Sequence, residues 1–203
     1  MMGRRVIIGI TGAMASGKTT VADMFVEEGA FKIDADAIAH DILKEDNCIK
    51  QEIVDYAGED VLTNGEIDRR KLAKEVFFNK TKLEQLCRIT HPAIIEKIKE
   101  MIERTAQESI VVIDAPLLIE TGLHECVDVI VVVTATEETQ TRRAINRGIS
   151  EEEFKGAAGS QMALSEKKKF ADYVIDTEKK INVVKKGVEK IWKEIKKEKE
   201  NWI

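Results

Sequence analysis

The residues of greatest chemical content lie between Gly12 and Thr19, where Gly12, Gly17, Lys18 and Thr19 spell G-x-x-x-x-G-K-[ST]. A loop short of large side chains can turn its backbone N–H groups inward around a multiply charged anion. Ala15, Ser16 and Thr20 complete that loop, and the glycines supply its conformational freedom. Lys18 adds a point charge for the β and γ phosphates of a nucleoside triphosphate. Thr19 offers a hydroxyl to Mg²⁺, and a helix starting near it aims its positive dipole end at the same anion.

Acidic residues follow two apolar runs. Asp34 and Asp36 come after Ala30-Phe31-Lys32-Ile33, and Asp114 ends Ile110-Val111-Val112-Ile113. In open α/β sheets ligands bind beyond the carboxyl ends of strands, so Asp34, Asp36 and Asp114 are expected in the crevice that holds the phosphate loop. Asp114 suits a Mg²⁺ contact, and its alternative role is capping the turn before Pro116. Either Asp34 or Asp36 can equally cap the helix that follows. Arg143 and Arg147 stand four residues apart on one helix face. Such a pair can clamp phosphate oxygens that gain charge during transfer, or simply form a solvated face. His91, in Thr90-His91-Pro92, is a candidate for substrate contact or for a structural place at a helix junction.

The elements that must position these groups are legible from periodicity. Val6-Ile7-Ile8 reads as a buried strand, and Val21, Ala22, Met24 and Phe25 give the next helix its apolar side. Glu28-Gly29 ends that helix. Val127–Thr134 and Ala171–Asp176 are further strands, and the continuous apolar runs point to a parallel sheet covered on both faces. Thr136 and Gly148 bound the arginine-bearing helix. From Asn47 to Ala106 the pattern is helical with no convincing strand, and Thr63-Asn64-Gly65-Glu66 turns between two amphipathic pieces. Pro92 predicts a kink or restart in the long helix from Thr81 to Gln107. Gly156-Ala157-Ala158-Gly159 is a weak spot, a candidate hinge. Ile181, Val184, Val188, Ile191 and Ile195 stripe a closing amphipathic helix. The expected fold is a three-layer α/β/α P-loop domain with a five-stranded parallel sheet. Its core covers about 1–35, 108–147 and 170–203, with a helical substrate-binding insertion at about 36–107 and a small lid at about 148–169.

At 203 residues, 43% hydrophobic and 34% charged, the chain suits one globular unit. A formal net charge of -5 argues against a nucleic-acid partner. Cys48, Cys87 and Cys126 are odd in number and widely separated, which disfavours disulfides and zinc. Met1-Met2-Gly3-Arg4-Arg5 has a signal-like positive start, but its apolar run is too short, and no segment is long enough to span a membrane. The expectation is a cytoplasmic protein of open oligomeric state acting on a small molecule.

A guanine-nucleotide switch would carry N-K-x-D, and Asn79-Lys80-Thr81-Lys82 lacks the aspartate. A motor normally needs more chain. Small size, paired acids near a helical insertion and an arginine-bearing lid fit a small-molecule kinase using ATP and Mg²⁺. A kinase of another small nucleotide or sugar, or a non-catalytic NTP-sensing module, stays open on these features alone.

Nearly end to end, the chain resembles the bacterial-type dephospho-coenzyme A kinases. The likeness rests on Thr11-Gly12 through Thr20, Ile33-Asp34-Ala35-Asp36, Gly65-Glu66-Ile67-Asp68-Arg69, Thr90-His91-Pro92, Asp114-Ala115-Pro116-Leu117-Leu118-Ile119-Glu120, Gln140-x-x-Arg143-x-x-x-Arg147, Gln161 and Ala171–Asp176. It implies transfer of the ATP γ-phosphoryl group to the ribose 3′-hydroxyl of dephospho-coenzyme A, the last step of coenzyme A synthesis. It implies Asp36 as base, with Lys18, Arg143 and Arg147 as further catalytic groups. Asp34 would support the base or share Mg²⁺ with Thr19 and Asp114, and Asp34, Asp36, His91 and Glu120 would meet the acceptor. One departure is that the lid before Gln161 commonly carries an arginine, and Gly156-Ala157-Ala158-Gly159 supplies none.

Overall fold

The computed structural model describes residues 5–77, 79–107, 109–159 and 161–201; the basic start Met1–Arg4 lies outside them. The chain divides into two units, Met1–Asp34 with Met101–Ile203, and Ala35–Glu100.

The first unit is built on five parallel strands: β1 (Val6–Gly12), β2 (Phe31–Asp34), β5 (Ile110–Asp114), β6 (Val129–Thr134) and β7 (Tyr173–Asp176). Their order is β2-β5-β1-β6-β7, so β1 is central. β5 is buried at every position, as the unbroken β-branched run requires of a strand covered on both faces. One face receives α1 (Lys18–Glu27) through Val21, Ala22, Met24 and Phe25. The same face receives α9 (Ile181–Asn201) through Val184, Val188, Ile191, Trp192 and Ile195. The apolar stripe of α9 therefore begins at Val184. Ile181, expected in it, is 58% exposed, and Trp192 joins it instead.

Thr136 caps α6 (Glu137–Asn146) by accepting from the Thr139 N–H. Beyond it, α7 (Glu151–Gly159) stays helical through the glycines read as a weak spot, and α8 (Leu164–Lys167) follows.

The second unit holds α2 (Ala35–Glu45), α3 (Asn47–Ala57), α4 (Arg69–Phe77) and most of α5 (Lys80–Glu103). Two of the sequence expectations change here. The Thr63–Glu66 turn carries a small antiparallel hairpin, β3 (Leu62–Thr63) with β4 (Glu66–Ile67), because Asn64 and Gly65 both adopt positive φ, 53° and 79°. That is the twist a two-residue hairpin turn needs. The helix also continues through Pro92 instead of restarting there. Its fixed φ is helical, at the cost of one N–H bond and of crowding against the carbonyl four residues back, which removes the expected restart but not the expected kink. The apolar centre of this unit is Ile49, Ile53, Val61, Leu72 and Val76.

Candidate functional site

Strand β1 ends at Gly12, and the chain from there to Lys18 forms the loop. Gly12 has φ +152°, and a Cβ on it would lie 2.2 Å from the Val133 carbonyl oxygen of β6. No other residue fits against that strand. Gly17, the N-cap of α1, sits at φ +96°, in left-handed space. Ala15 is at φ 57°, a conformation that alanine adopts only when its surroundings impose it. The Lys18 ammonium, almost fully buried, donates to the Gly12 and Ala13 carbonyls at 3.3 and 2.9 Å. The Ser16 hydroxyl is buried with no hydrogen-bond partner. An unsatisfied donor inside a loop of N–H groups is what an anion would complete.

Asp34 and Asp114 are register partners at the carboxyl ends of β2 and β5. Asp114 is 5% exposed, and the Thr19 hydroxyl donates to it. Burial pushes its carboxyl up, with the Asp34 charge adding to the rise. The Thr19 bond and the Lys18 and Lys32 ammonium groups oppose that shift. Two facing carboxylates and a hydroxyl form an all-oxygen set of the kind Mg²⁺ prefers. No group of three or more His, Cys, Asp or Glu able to hold a metal occurs among the described residues. The set therefore suits an ion that keeps waters and phosphate oxygens as its remaining ligands.

Arg143 reaches the loop from outside. Its Nη1 donates to the Ala15 and Ser16 carbonyls at 3.4 and 3.2 Å and to the Thr177 hydroxyl at 2.9 Å, while Nη2 donates to the Thr177 carbonyl at 3.0 Å. Thr177 Oγ1 in turn lies 2.7 Å from the Ser16 carbonyl. Holding the Ser16 carbonyl outward turns the other side of that peptide, the Gly17 N–H, inward, which is the orientation anion binding requires, whereas the Ser16 N–H is taken by the Ala13 carbonyl at 3.2 Å. Arg143 thus acts on the loop itself, whereas Arg147 is exposed just past the end of α6. Gln140, three residues before Arg143, is buried and donates to the Ala135 carbonyl at 2.7 Å. Glu120 Oε1 accepts from the Met162 N–H at 3.0 Å and pairs with Lys167 at 2.9 Å.

In the second unit, Asp36 is exposed in the first turn of α2, two residues beyond Asp34 along the chain. His91 is half-buried in α5, and burial lowers its pKa, so the neutral ring prevails at pH 7.

Three residues escaped sequence reading. Thr177 and Glu178 follow the last strand. Glu178 accepts from the Thr136 N–H and from the Thr136 and Thr139 hydroxyls, which ties that segment to the start of α6. Lys167 was hidden in Lys167-Lys168-Lys169, where only the first is buried. A lysine run carries no signal of which member turns inward.

A dephospho-CoA kinase family model matches residues 6–182. The dephospho-CoA kinase of Aquifex aeolicus is 39% identical over 189 residues, covering 93% of this chain and 96% of that one. Among solved structures, a Thermus thermophilus protein matches with TM-score 0.78 at 31% identity, covering 96% of this chain and 98% of its own. The Campylobacter jejuni dephospho-CoA kinase gives TM-score 0.61 at 28% identity, covering 94% and 97%.

Proposed function

Because the chain belongs to the dephospho-CoA kinase family, which phosphorylates dephospho-CoA in the final step of coenzyme A biosynthesis, we propose how its residues carry that reaction. ATP is the phosphoryl donor, seated by the Gly12–Thr20 loop. Lys18 would exchange its loop carbonyls for phosphate oxygens, and Thr19, Asp34 and Asp114 would hold Mg²⁺. When bound there, Mg²⁺ supplies positive charge for the β and γ phosphate oxygens. Asp36 takes the proton of the ribose 3′-hydroxyl as that oxygen bonds to the γ-phosphorus. The bond from that phosphorus to the β–γ bridging oxygen breaks, and ADP leaves with the bond's electron pair.

Arg143 keeps the Ser16–Gly17 peptide turned with its N–H toward the phosphates, and Arg147 is the guanidinium proposed for the phosphates themselves. The helical unit would hold the acceptor, with neutral His91 offering it one donor and one acceptor atom. For Glu120, the two bonds to Lys167 and Met162 favour structural engagement over direct contact with the acceptor. A cytoplasmic setting fits three free cysteines, and no described helix is long and apolar enough to cross a membrane.

The observation carrying this assignment is the Asp34–Asp114 pair with Thr19 beside the phosphate-loop lysine. The test is ADP release from ATP with dephospho-CoA, AMP, shikimate or gluconate as acceptor. Stimulation by dephospho-CoA above the others is expected, and stimulation by none would favour an NTP-sensing module. In the same assay Asp36→Asn should lose at least about 10²-fold in turnover while still binding ATP. Near-normal turnover would remove Asp36 from the role of base.

A further inference from the structure

Lys167 is the one lysine whose side chain is wholly enclosed among the described residues, at 0% exposure. A buried ammonium is tolerated only when its donors are satisfied. Here three acceptors meet its three N–H donors: the Pro116 carbonyl at 2.6 Å, Glu120 Oε1 at 2.9 Å and the Thr11 hydroxyl at 3.4 Å. Thr11 itself donates to the Pro116 carbonyl at 3.0 Å, which leaves its oxygen lone pairs for Lys167. With all three donors used, Lys167 has none left for a phosphate, so a direct catalytic contact does not explain its burial.

The positions of its partners in the chain explain it better. Thr11 immediately precedes Gly12, where the phosphate loop begins. Pro116 lies two residues after Asp114, and Ala115 is itself tied to β1 through its N–H to the Ile10 carbonyl at 3.0 Å. Glu120 accepts from Met162, in the second half of the proposed lid, and Lys167 closes the short helix α8 that follows near the lid's end. A single cation therefore joins the start of the phosphate loop, the turn leaving Asp114 and the base of the 148–169 segment.

We propose that Lys167 is a positioning residue, the seat that fixes the base of the lid to the donor site so that lid closure shuts water out while Asp114 and the phosphate loop stay in register. Resting as it does on the reading of residues 148–169 as a lid over ATP, the seat has a consequence that simple structural support lacks. When it is loosened, water competes with dephospho-CoA for the γ-phosphoryl group, giving ADP and inorganic phosphate in place of ADP and coenzyme A. Desolvation lowers the Lys167 pKa, and the hydrogen bond and charge of Glu120 oppose that shift.

The experiment compares the full-length wild type with Lys167→Met, a side chain of similar length without charge, and with Glu120→Gln, which keeps an acceptor oxygen but not the charge. ADP, inorganic phosphate and coenzyme A are quantified from the same reactions, alongside ATP affinity and thermal midpoint. The expected result for Lys167→Met is a turnover at least about tenfold lower, ATP affinity within about threefold of wild type, and ADP formed per coenzyme A rising from about one to two or more. Glu120→Gln should move the same ratio in the same direction by less. A ratio that stays at one in both variants overturns the proposal, whether turnover is unchanged or falls together with the thermal midpoint. Should Lys167→Met fail to fold, the Glu120→Gln ratio decides alone. Failure of the lid reading is distinguished by hydrogen exchange of the wild type. Protection of 148–169 by a non-hydrolysable ATP analogue is expected, and its absence removes the lid whatever Lys167 does.

Discussion

Replacing Thr177 with valine removes one hydroxyl and keeps the side-chain shape, so it isolates the bond network behind the phosphate loop. In the native protein that oxygen accepts from Arg143 Nη1 at 2.9 Å and approaches the Ser16 and Thr134 carbonyls at 2.7 and 3.1 Å. Valine forfeits one neutral bond and one from a charged donor, contributions of about 0.5–1.5 and 1.5–3 kcal/mol respectively. Arg143 keeps its bonds to the Thr177 and Ser16 carbonyls, so the charged donor is not orphaned, its lost bond counts as a neutral one, and the two losses in the lower half of the neutral range come to about 1–2 kcal/mol. Part of that loss appears as stability and part as freedom of the Ser16 peptide to rotate. A loop competent only part of the time binds with an affinity reduced by that fraction. At about 1.4 kcal/mol per tenfold, the ceiling on weakened ATP affinity is about 5- to 30-fold. Equilibrium titration with a non-hydrolysable ATP analogue measures it, with Thr177→Ser expected to restore most of the affinity. Unchanged affinity in Thr177→Val, or a serine variant no better than valine, would refute the claim that outward-held carbonyls prepare the loop.

Two further outcomes follow from the site. Asp114 has a folded pKa raised above its ordinary value of 3.8, so between those two values the folded state holds the extra proton and stability falls as pH rises through that window. Asparagine mimics the protonated form, so Asp114→Asn should melt no lower than wild type at pH 7 while losing at least about 10²-fold in Mg²⁺-dependent turnover; a clearly lower melting midpoint would contradict the burial argument. Lys18→Ala removes the charge now resting on the Gly12 and Ala13 carbonyls and should weaken both ATP binding and turnover, each measurable in the same assays, and an unaffected rate would contradict its role.

The core strands and the loop were legible because their signals are local. β5 is a run of β-branched residues ending in an acid, and the loop is a spacing of glycines, a lysine and a threonine. Local signals also found the Thr136 cap. What stayed hidden depends on partners distant in sequence. Arg143 and Arg147 look alike on a helix face, yet only Arg143 meets the Ala15 and Ser16 carbonyls, which no periodicity encodes. Lys167 looks like its two neighbours and differs only in being enclosed. Ile181 continues the heptad-like stripe but falls at the first residue of α9, where it is left exposed. The Asn64-Gly65 turn was recognised, but the two-residue strands flanking it are too short to leave an alternation.

The central place of β1 also bears on how the chain is made. Val6 through Ile10 pair with residues from Ile110 onward on one side, and Ile8 through Gly12 with residues from Val129 onward on the other. Both neighbours lie more than 100 residues downstream in the chain. A nascent polypeptide emerging from the ribosome therefore carries β1 unpaired until about half of the chain has been made, since domains fold only as their parts become available. Long-range parallel pairing of this kind gives high contact order and slow closure of the sheet. The contiguous stretch Ala35–Glu100 has no such wait. Chains stalled before Ile110 should be the aggregation-prone species, with Val6–Ile10 as the sticky segment.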